Sequence, residues 1–278
     1  MTSFLEKKFD LNNPELVQVM DEVPLWSAPF GLKLLDYVHY RTDISVLDVG
    51  CGMGFPMVEL ALRLGDTCQV YGVDPWEVAT NRIHEKTRQY GINNVKVFNT
   101  TADKIPLESS SIDLLVSNNG FNNVKDIHPV LDECNRVCKR NAQVLATMNM
   151  KESMKEFYQV FERVLLEFDL CEPVVRMNEH INKKRKPVLE ISDNFKKHGF
   201  SISKIIKDHF HLRFANGIAM FNHYFMRLAF VEEWMKLVEI SRHEEVFSRI
   251  EKELNDIASN EGGLSLTIPY VLIEARKE

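Results

Sequence analysis

The stretch Val46-Leu47-Asp48-Val49-Gly50-Cys51-Gly52-Met53-Gly54-Phe55 constrains this chain more than any other. Its short apolar run reads as a buried strand. The run breaks into alternating glycines, which carry no Cβ and so allow a sharp turn and a close approach of backbone to a ligand. Phe55 to Leu64 then reads as a helix whose first N–H groups point back at that ligand. Strand, glycine turn and helix in this order predict a nucleotide-type cofactor site at the first strand-to-helix turn of an α/β sheet.

The rest of the chain is consistent with such a sheet. Residues 12 to 41 read as helical, with Pro14 at a first-turn position. Pro24 and Pro29 leave Leu25-Trp26-Ser27-Ala28 as a bend between two helical pieces. From Ile44 the pattern alternates. Strands are expected at Ile44–Val49, Gln69–Val73, Val95–Asn99, Ile112–Ser117 and Gln143–Met148. Helices are expected near 55–64, at Glu77–Tyr90 and at His128–Lys139. Strands alternating with helices predict a parallel sheet covered on both faces. Beyond residue 150 the rhythm breaks. A helix is expected at Met154–Phe168, a polar irregular stretch at Arg176–Lys186, and a helix at Val188–His198. A strand follows from Phe200, extending toward Phe214. One or two long helices should fill 218–258, and a last strand Leu264–Ala275. The chain thus divides into an N-terminal helical lid (1–41), a cofactor-binding core (42–150) and a C-terminal part (151–278). That last part combines cap insertions, near 151–187 and 215–262, with the final strands. Inserts after strands fall at the carboxyl end of an open sheet, where ligands bind.

The glycine spacing also says which cofactor to expect. A dinucleotide fingerprint is G-x-G-x-x-G. Here the glycines are Gly50, Gly52 and Gly54, and Phe55 stands where the third would fall. Asp48, two residues ahead of the first glycine, would repel a pyrophosphate and suits a cationic ligand. Asp74 ends the next strand at the offset of a ribose-binding acid, beside Pro75. Thr101-Ala102-Asp103 follows the third strand, where a side chain could hydrogen-bond an adenine amino group. Ser117-Asn118-Asn119-Gly120 follows the fourth. Contacts at four consecutive strand ends form one line across the sheet.

These segments resemble the class I S-adenosylmethionine-dependent methyltransferases over about residues 44 to 150. Val46 to Gly54 match the family's first motif and Tyr71-Gly72-Val73-Asp74 its second. Ala102-Asp103 and Ile112 to Asn118 match the third and fourth. Within the family the chain resembles the small-molecule branch that includes ubiquinone/menaquinone-biosynthesis C-methyltransferases. It departs from that branch at Asn122-Asn123, where histidines are usual, and at Cys138 to Ala142, where a Leu-Lys-Pro-Gly-Gly turn is usual. The resemblance implies a Rossmann-like, mostly parallel seven-stranded sheet with a largely helical cap. It implies S-adenosylmethionine as cofactor and S-adenosylhomocysteine as product. It lays the glycine loop against the methionine part, Asp74 on the ribose, Asp103 on adenine N6, and Asn118 and Asn119 near the methionyl end. Trp26 becomes a lid aromatic over the cofactor.

Composition narrows the acceptor. The chain has 278 residues, and its net charge of −6 argues against wholesale binding to nucleic acid. After the fourth strand it has Asn118-Asn119-Gly120-Phe121 instead of the Asn/Asp-Pro-Pro-Tyr/Phe motif of amino-methylating DNA enzymes. A small-molecule acceptor under an aromatic cap is the first reading. A protein or peptide methyltransferase is the alternative, and a non-catalytic cofactor-binding protein ranks below it. Met1 to Asp10 lacks a signal-peptide core, and no apolar run reaches membrane-span length. The five scattered cysteines fit reduced thiols in the cytoplasm. Cys134 and Cys138 read as packed thiols, so no metal is expected. Lys183-Lys184-Arg185-Lys186 reads as a solvated loop.

Methyl transfer from a sulfonium is an in-line displacement, for which a protein mainly supplies proximity and a dry site. A general base is needed only for a protonated acceptor. His223, in the aromatic run Phe221 to Phe225, is the base candidate, ahead of His209, His211 and His128.

Overall fold

The computed structural model describes residues 9–22 and 25–278. Residues 1–8 and Val23-Pro24, including most of the N-terminal stretch read above, lie outside the described residues. The chain divides into two compact units. Among the described residues, the larger comprises those within 11–150, 187–208 and 270–278, and the other those within 9–10, 151–186 and 209–269.

The larger unit carries the sheet expected from the alternation. β1 (Ser45–Val49), β2 (Gln69–Val73), β3 (Val95–Phe98), β4 (Ile112–Asn118) and β5 (Cys138–Asn149) are parallel neighbours in the order β3-β2-β1-β4-β5. β6 (Phe200–Phe214) and β7 (Leu264–Lys277) complete seven strands. β7 lies antiparallel to β5, from Gln143↔Arg276 to Asn149↔Tyr270. Both late strands run on into the second unit.

Apolar runs form these strands because both faces are covered. On one face Leu47, Val49, Leu115 and Val144 pack with Val130, Leu131 and Cys134 of α5 (Ile127–Val137) and with Phe195 of α8 (Val188–Lys197). On the other, Val46, Val70, Leu114 and Val116 pack with α2 (Ser27–Asp36) through Leu34 and Leu35, and with α3 (Met57–Leu64) through Met57, Leu60 and Ala61. Those α3 positions repeat at helical spacing, which is why a sheet face can bury them. α1 (Pro14–Glu22) is tied to α4 (Glu77–Tyr90) by Asp21, which accepts from Arg82 Nε at 2.9 Å and Lys86 Nζ at 2.5 Å. Lys86 Nζ also donates to Met53 O in the glycine turn at 2.7 Å.

The second unit departs from expectation in two places. Arg176–Lys186, expected to be irregular, lies mostly in the helix α7 (Cys171–Lys184). Pro173, Met177 and Ile181 recur every four residues and bury one stripe against α6 (Lys155–Glu167) and its neighbours. The basic run is therefore a helix end, and Arg185 is buried, donating to Ser153 O at 2.8 Å over the Tyr158 ring. The long helices expected over 218–258 are broken. α9 (Gly217–Asn222) stops at His223, whose backbone is extended. α10 (Tyr224–Met226) then opens into one π turn at Arg227–Val231 before α11 (Glu232–Met235), and α12 (His243–Glu261) follows. The core of this unit is aromatic: Trp234 stacks on Phe157 at 3.8 Å, with its indole N–H donating to Tyr158 Oη at 3.1 Å.

Candidate cofactor site

β1 ends at Val49, and the chain turns back under its neighbour's end. The amides of Gly50 and Cys51 both donate to Val73 O, at 2.9 and 3.3 Å. Gly52 has φ +48° and donates its N–H to Asp74 Oδ2 at 2.9 Å. A Cβ placed on Gly52 would meet nothing within 4 Å. The turn therefore presents bare backbone to open space, with a carboxylate beside it. Gly54 faces inward, onto Val58 and Ile83. On the other side β4 comes close: a Cβ on Gly120 would lie 2.4 Å from Val49 O.

Asp74 is half-buried. Its Oδ1 accepts from Trp76 N at 2.9 Å, so one carboxylate holds two loop amides and each oxygen keeps a lone pair for a ligand. Burial raises its carboxyl, and those two amides oppose the rise. Asp48 is fully buried one strand away, opposite Gly72 and Val116, with no hydrogen-bond partner for either oxygen. Its carboxyl is pushed up to about 8, first by burial and then by Asp74.

Residues 47–146 match the family described as "Methyltransferase domain". Over that stretch the chain is similar to methyltransferase domains. The demethylmenaquinone methyltransferase of Staphylococcus aureus (strain MRSA252) is 28% identical over 158 residues, which is 56% of this chain and 62% of that protein. The match thus spans less than two thirds of that relative's length. Among solved structures, the YcgJ protein of Bacillus subtilis superposes with a TM-score of 0.58 at 17% identity, covering 90% of this chain and 98% of that one. Geranyl diphosphate C-methyltransferase of Streptomyces coelicolor superposes with a TM-score of 0.57 at 15% identity, covering 94% and 82%. At such identities these two superpositions speak for the fold.

Apart from Trp26, which precedes α2, the larger unit brings the residues expected at a cofactor to or just past the ends of adjacent strands. The order β3-β2-β1-β4 places Ala102 and Asp103, then Asp74 and Pro75, then the glycine turn, then Asn118 and Asn119. Ala102 packs against the core while Asp103 is exposed, its carboxyl held below the usual range by the Thr101 hydroxyl. Pro75 is exposed. Asn118 is buried, and its amide is committed to the protein. Its Nδ2 donates to Ser27 O at 3.1 Å, and its Oδ1 accepts from Thr147 Oγ1 at 2.9 Å. Asn119, at φ +62°, donates its N–H to Thr147 O, while its Oδ1 accepts from Asn149 N at 3.2 Å. These amides clamp the β4 loop to the end of β5. Trp26 is half-buried, edge-on to Phe30 at 5.5 Å, which meets Tyr270 at 5.0 Å.

Sequence reading missed Thr147 and Asn149, both buried at the end of β5. Polar residues in an otherwise apolar strand are the signal that would have found them. His223 lies in the other unit, half-buried between Phe214 and Tyr224, with Nδ1 buried and unpartnered. Burial lowers its pKa. His128 is engaged elsewhere: its Nδ1 lies 3.0 Å from His198 Nε2, and His198 Nδ1 lies 2.6 Å from Asp132. His209 and His211 are exposed on β6. Among the described residues no group of three His, Cys, Asp or Glu is placed to share a metal ion, and Cys134 and Cys138 are buried thiols.

Proposed function

We propose that this chain transfers a methyl group from S-adenosylmethionine to a small-molecule acceptor. The observation that carries the reading is the Gly52 turn: an amide held on Asp74, open space where a side chain would stand, and a buried carboxyl at Asp48. Those residues fit a ligand that combines ribose hydroxyls with positive charge. Asp74 would take the hydroxyls, Asp103 the adenine amino group, and the Gly50–Gly54 turn the methionyl part. Trp26 would cover it, and the clamped loop at Asn118 and Asn119 would hold its methyl-bearing end. The bound cofactor supplies a methyl already activated on a cationic sulfur, so the protein's task is to align an acceptor and keep out water. The methyltransferases mentioned above act, by their names, on demethylmenaquinone and geranyl diphosphate. An apolar small molecule is accordingly our acceptor class. His223, neutral when its pKa is lowered, is the proposed base for an acceptor that must lose a proton. No helix among the described residues is long and apolar enough to cross a membrane. Together with five unbridged cysteines, this supports a cytoplasmic site of action.

Calorimetric titration with S-adenosylhomocysteine tests the reading. Asp74→Ala should weaken binding at least about tenfold, the loss of roughly one charge-assisted hydrogen bond. Unchanged affinity would remove Asp74 from the site, and stabilisation by NAD instead would replace the cofactor.

A further inference from the structure

Each of the two central residues of the glycine turn is held from outside it. Gly54 N–H donates to Cys51 O at 2.8 Å, which closes a four-residue turn around Gly52 and Met53. The Gly52 N–H is taken by Asp74 Oδ2 at 2.9 Å, from the end of β2. The Met53 carbonyl is taken by Lys86 Nζ at 2.7 Å, from α4. A carbonyl points in one direction, so Lys86 sets the plane of the Met53–Gly54 peptide. Without it that plane could swing, because the glycines on either side of Met53 offer little steric resistance.

Lys86 is itself held. Its side chain is 18% exposed and pairs with Asp21 Oδ1 at 2.5 Å, on a carboxylate 8% exposed. Asp21 Oδ2 takes Arg82 Nε at 2.9 Å, one turn before Lys86 on α4, and Arg82 also pairs with Glu85 at 2.6 Å. The charges of this group cancel, so the ammonium beside the turn is compensated. Asp21 is placed by α1. Asn13 caps that helix, its side-chain oxygen accepting from Glu15 N at 2.9 Å. Val17 and Met20 are buried on the stripe that carries Asp21, and α1 packs on α4. The same stretch reaches the turn's other support. Trp76, whose amide holds Asp74 Oδ1, donates its indole N–H to Leu11 O at 3.1 Å. The Asp74 loop and Lys86 are thus both tied back to residues 11–22.

We propose that Lys86 is a positioning residue for the cofactor turn, and that α1, through Asp21, keeps it in place. This rests on the cofactor reading above and deepens it. The turn binds well only when its peptides are already oriented, since a ligand that must first order them loses affinity. Lys86 supplies that order from a helix outside the glycine motif.

The test reads cofactor affinity and turn mobility separately. In calorimetric titration of the full chain with S-adenosylhomocysteine, Lys86→Met should bind at least roughly threefold more weakly. Lys86→Arg, which keeps a donor for Met53 O, should recover most of that loss. Asp21→Asn should also weaken binding, yet add little in a Lys86→Met background, since both act through one carbonyl. In ligand-free Lys86→Met, amide exchange read by mass spectrometry should quicken in a peptide covering Gly50–Gly54 and stay unchanged in one covering Val144–Met148. Unaltered affinity in Lys86→Met overturns the proposal. Exchange quickened equally in both peptides also overturns it, because that is a general loosening of the fold. Additive losses in the double variant overturn the route through Asp21. Should Lys86→Met fail to fold, Asp21→Asn carries the same two readouts. If the unaltered chain binds no S-adenosylhomocysteine, the cofactor reading falls, while the exchange comparison still decides whether Lys86 holds the turn.

Discussion

Replacing Asp48 with asparagine should change how stability depends on pH, and the size of that change follows from linkage. The carboxyl moves from an ordinary 3.8 in the unfolded chain to about 8 in the folded protein. Between those values the folded state holds one proton more than the unfolded state. The stability this gives is fully present below about 4 and is lost as pH rises through about 8. Inside that window the slope is about 1.4 kcal/mol per pH unit, and it does not depend on where the upper limit falls. Raising pH from 5 to 7 should therefore cost the unaltered protein about 3 kcal/mol more than Asp48→Asn. With a urea dependence of roughly 3 kcal/mol per molar, the two midpoints should diverge by about 1 M. The two units need not unfold together, so the readout should belong to β1. Amide-exchange mass spectrometry of a peptide covering Ile44–Val49, across a urea series, provides it. Other titrating groups largely cancel in the difference between the two proteins. Parallel midpoints across pH would refute the argument, because a carboxyl already ionised in the folded protein gives no differential slope in this window. A midpoint that rises with pH relative to Asp48→Asn would mean the carboxylate is stabilised, contrary to its surroundings here.

Other substitutions probe the turn, the core and the cap. Gly52→Val should fill the open space and abolish S-adenosylhomocysteine binding by calorimetry, at a stability cost of about 1–3 kcal/mol for a non-glycine residue at φ +48°. Gly120→Ala, whose methyl would meet Val49 O, should lower the melting temperature or leave the protein insoluble. Phe157→Ala removes the ring stacked under Trp234 and should cost about 3–5 kcal/mol in urea denaturation of the second unit. The His223 ring protons should titrate by NMR below the ordinary histidine midpoint of 6.5, since burial disfavours the charged ring.

The parts of the fold that could be read in advance rest on short-range signals. β1 and its turn were legible because an apolar run, spaced glycines and a following amphipathic helix each leave a local pattern. The four strand ends followed from the same alternation. α7 was not legible, because Arg176, Lys183 and Lys184 obscure a stripe of only three buried positions, Pro173, Met177 and Ile181. The π turn at Arg227–Val231 carries no glycine or proline to announce it. At the candidate site, Asp48 lies in β1 and Asp74 directly follows β2, as the strand pattern leads one to expect. The role of Asn118 could not be read, because its partners Ser27 and Thr147 lie 91 and 29 residues away and only folding brings them to it.

The pairing of β5 with β7 bears on how this chain can be built. The stretch that carries the methyltransferase motifs ends near residue 146, yet the open edge of β5 is closed by residues 270 to 276. During synthesis, β1 to β5 emerge long before their last antiparallel partner exists. Val144, Leu145 and Ala146 then wait on an unpaired apolar edge, the kind of edge that recruits other chains. A pairing so distant in sequence is also slow to form. A fragment cut at the end of the recognisable motif should therefore aggregate, and the nascent protein should depend on chaperones until its final strand leaves the ribosome.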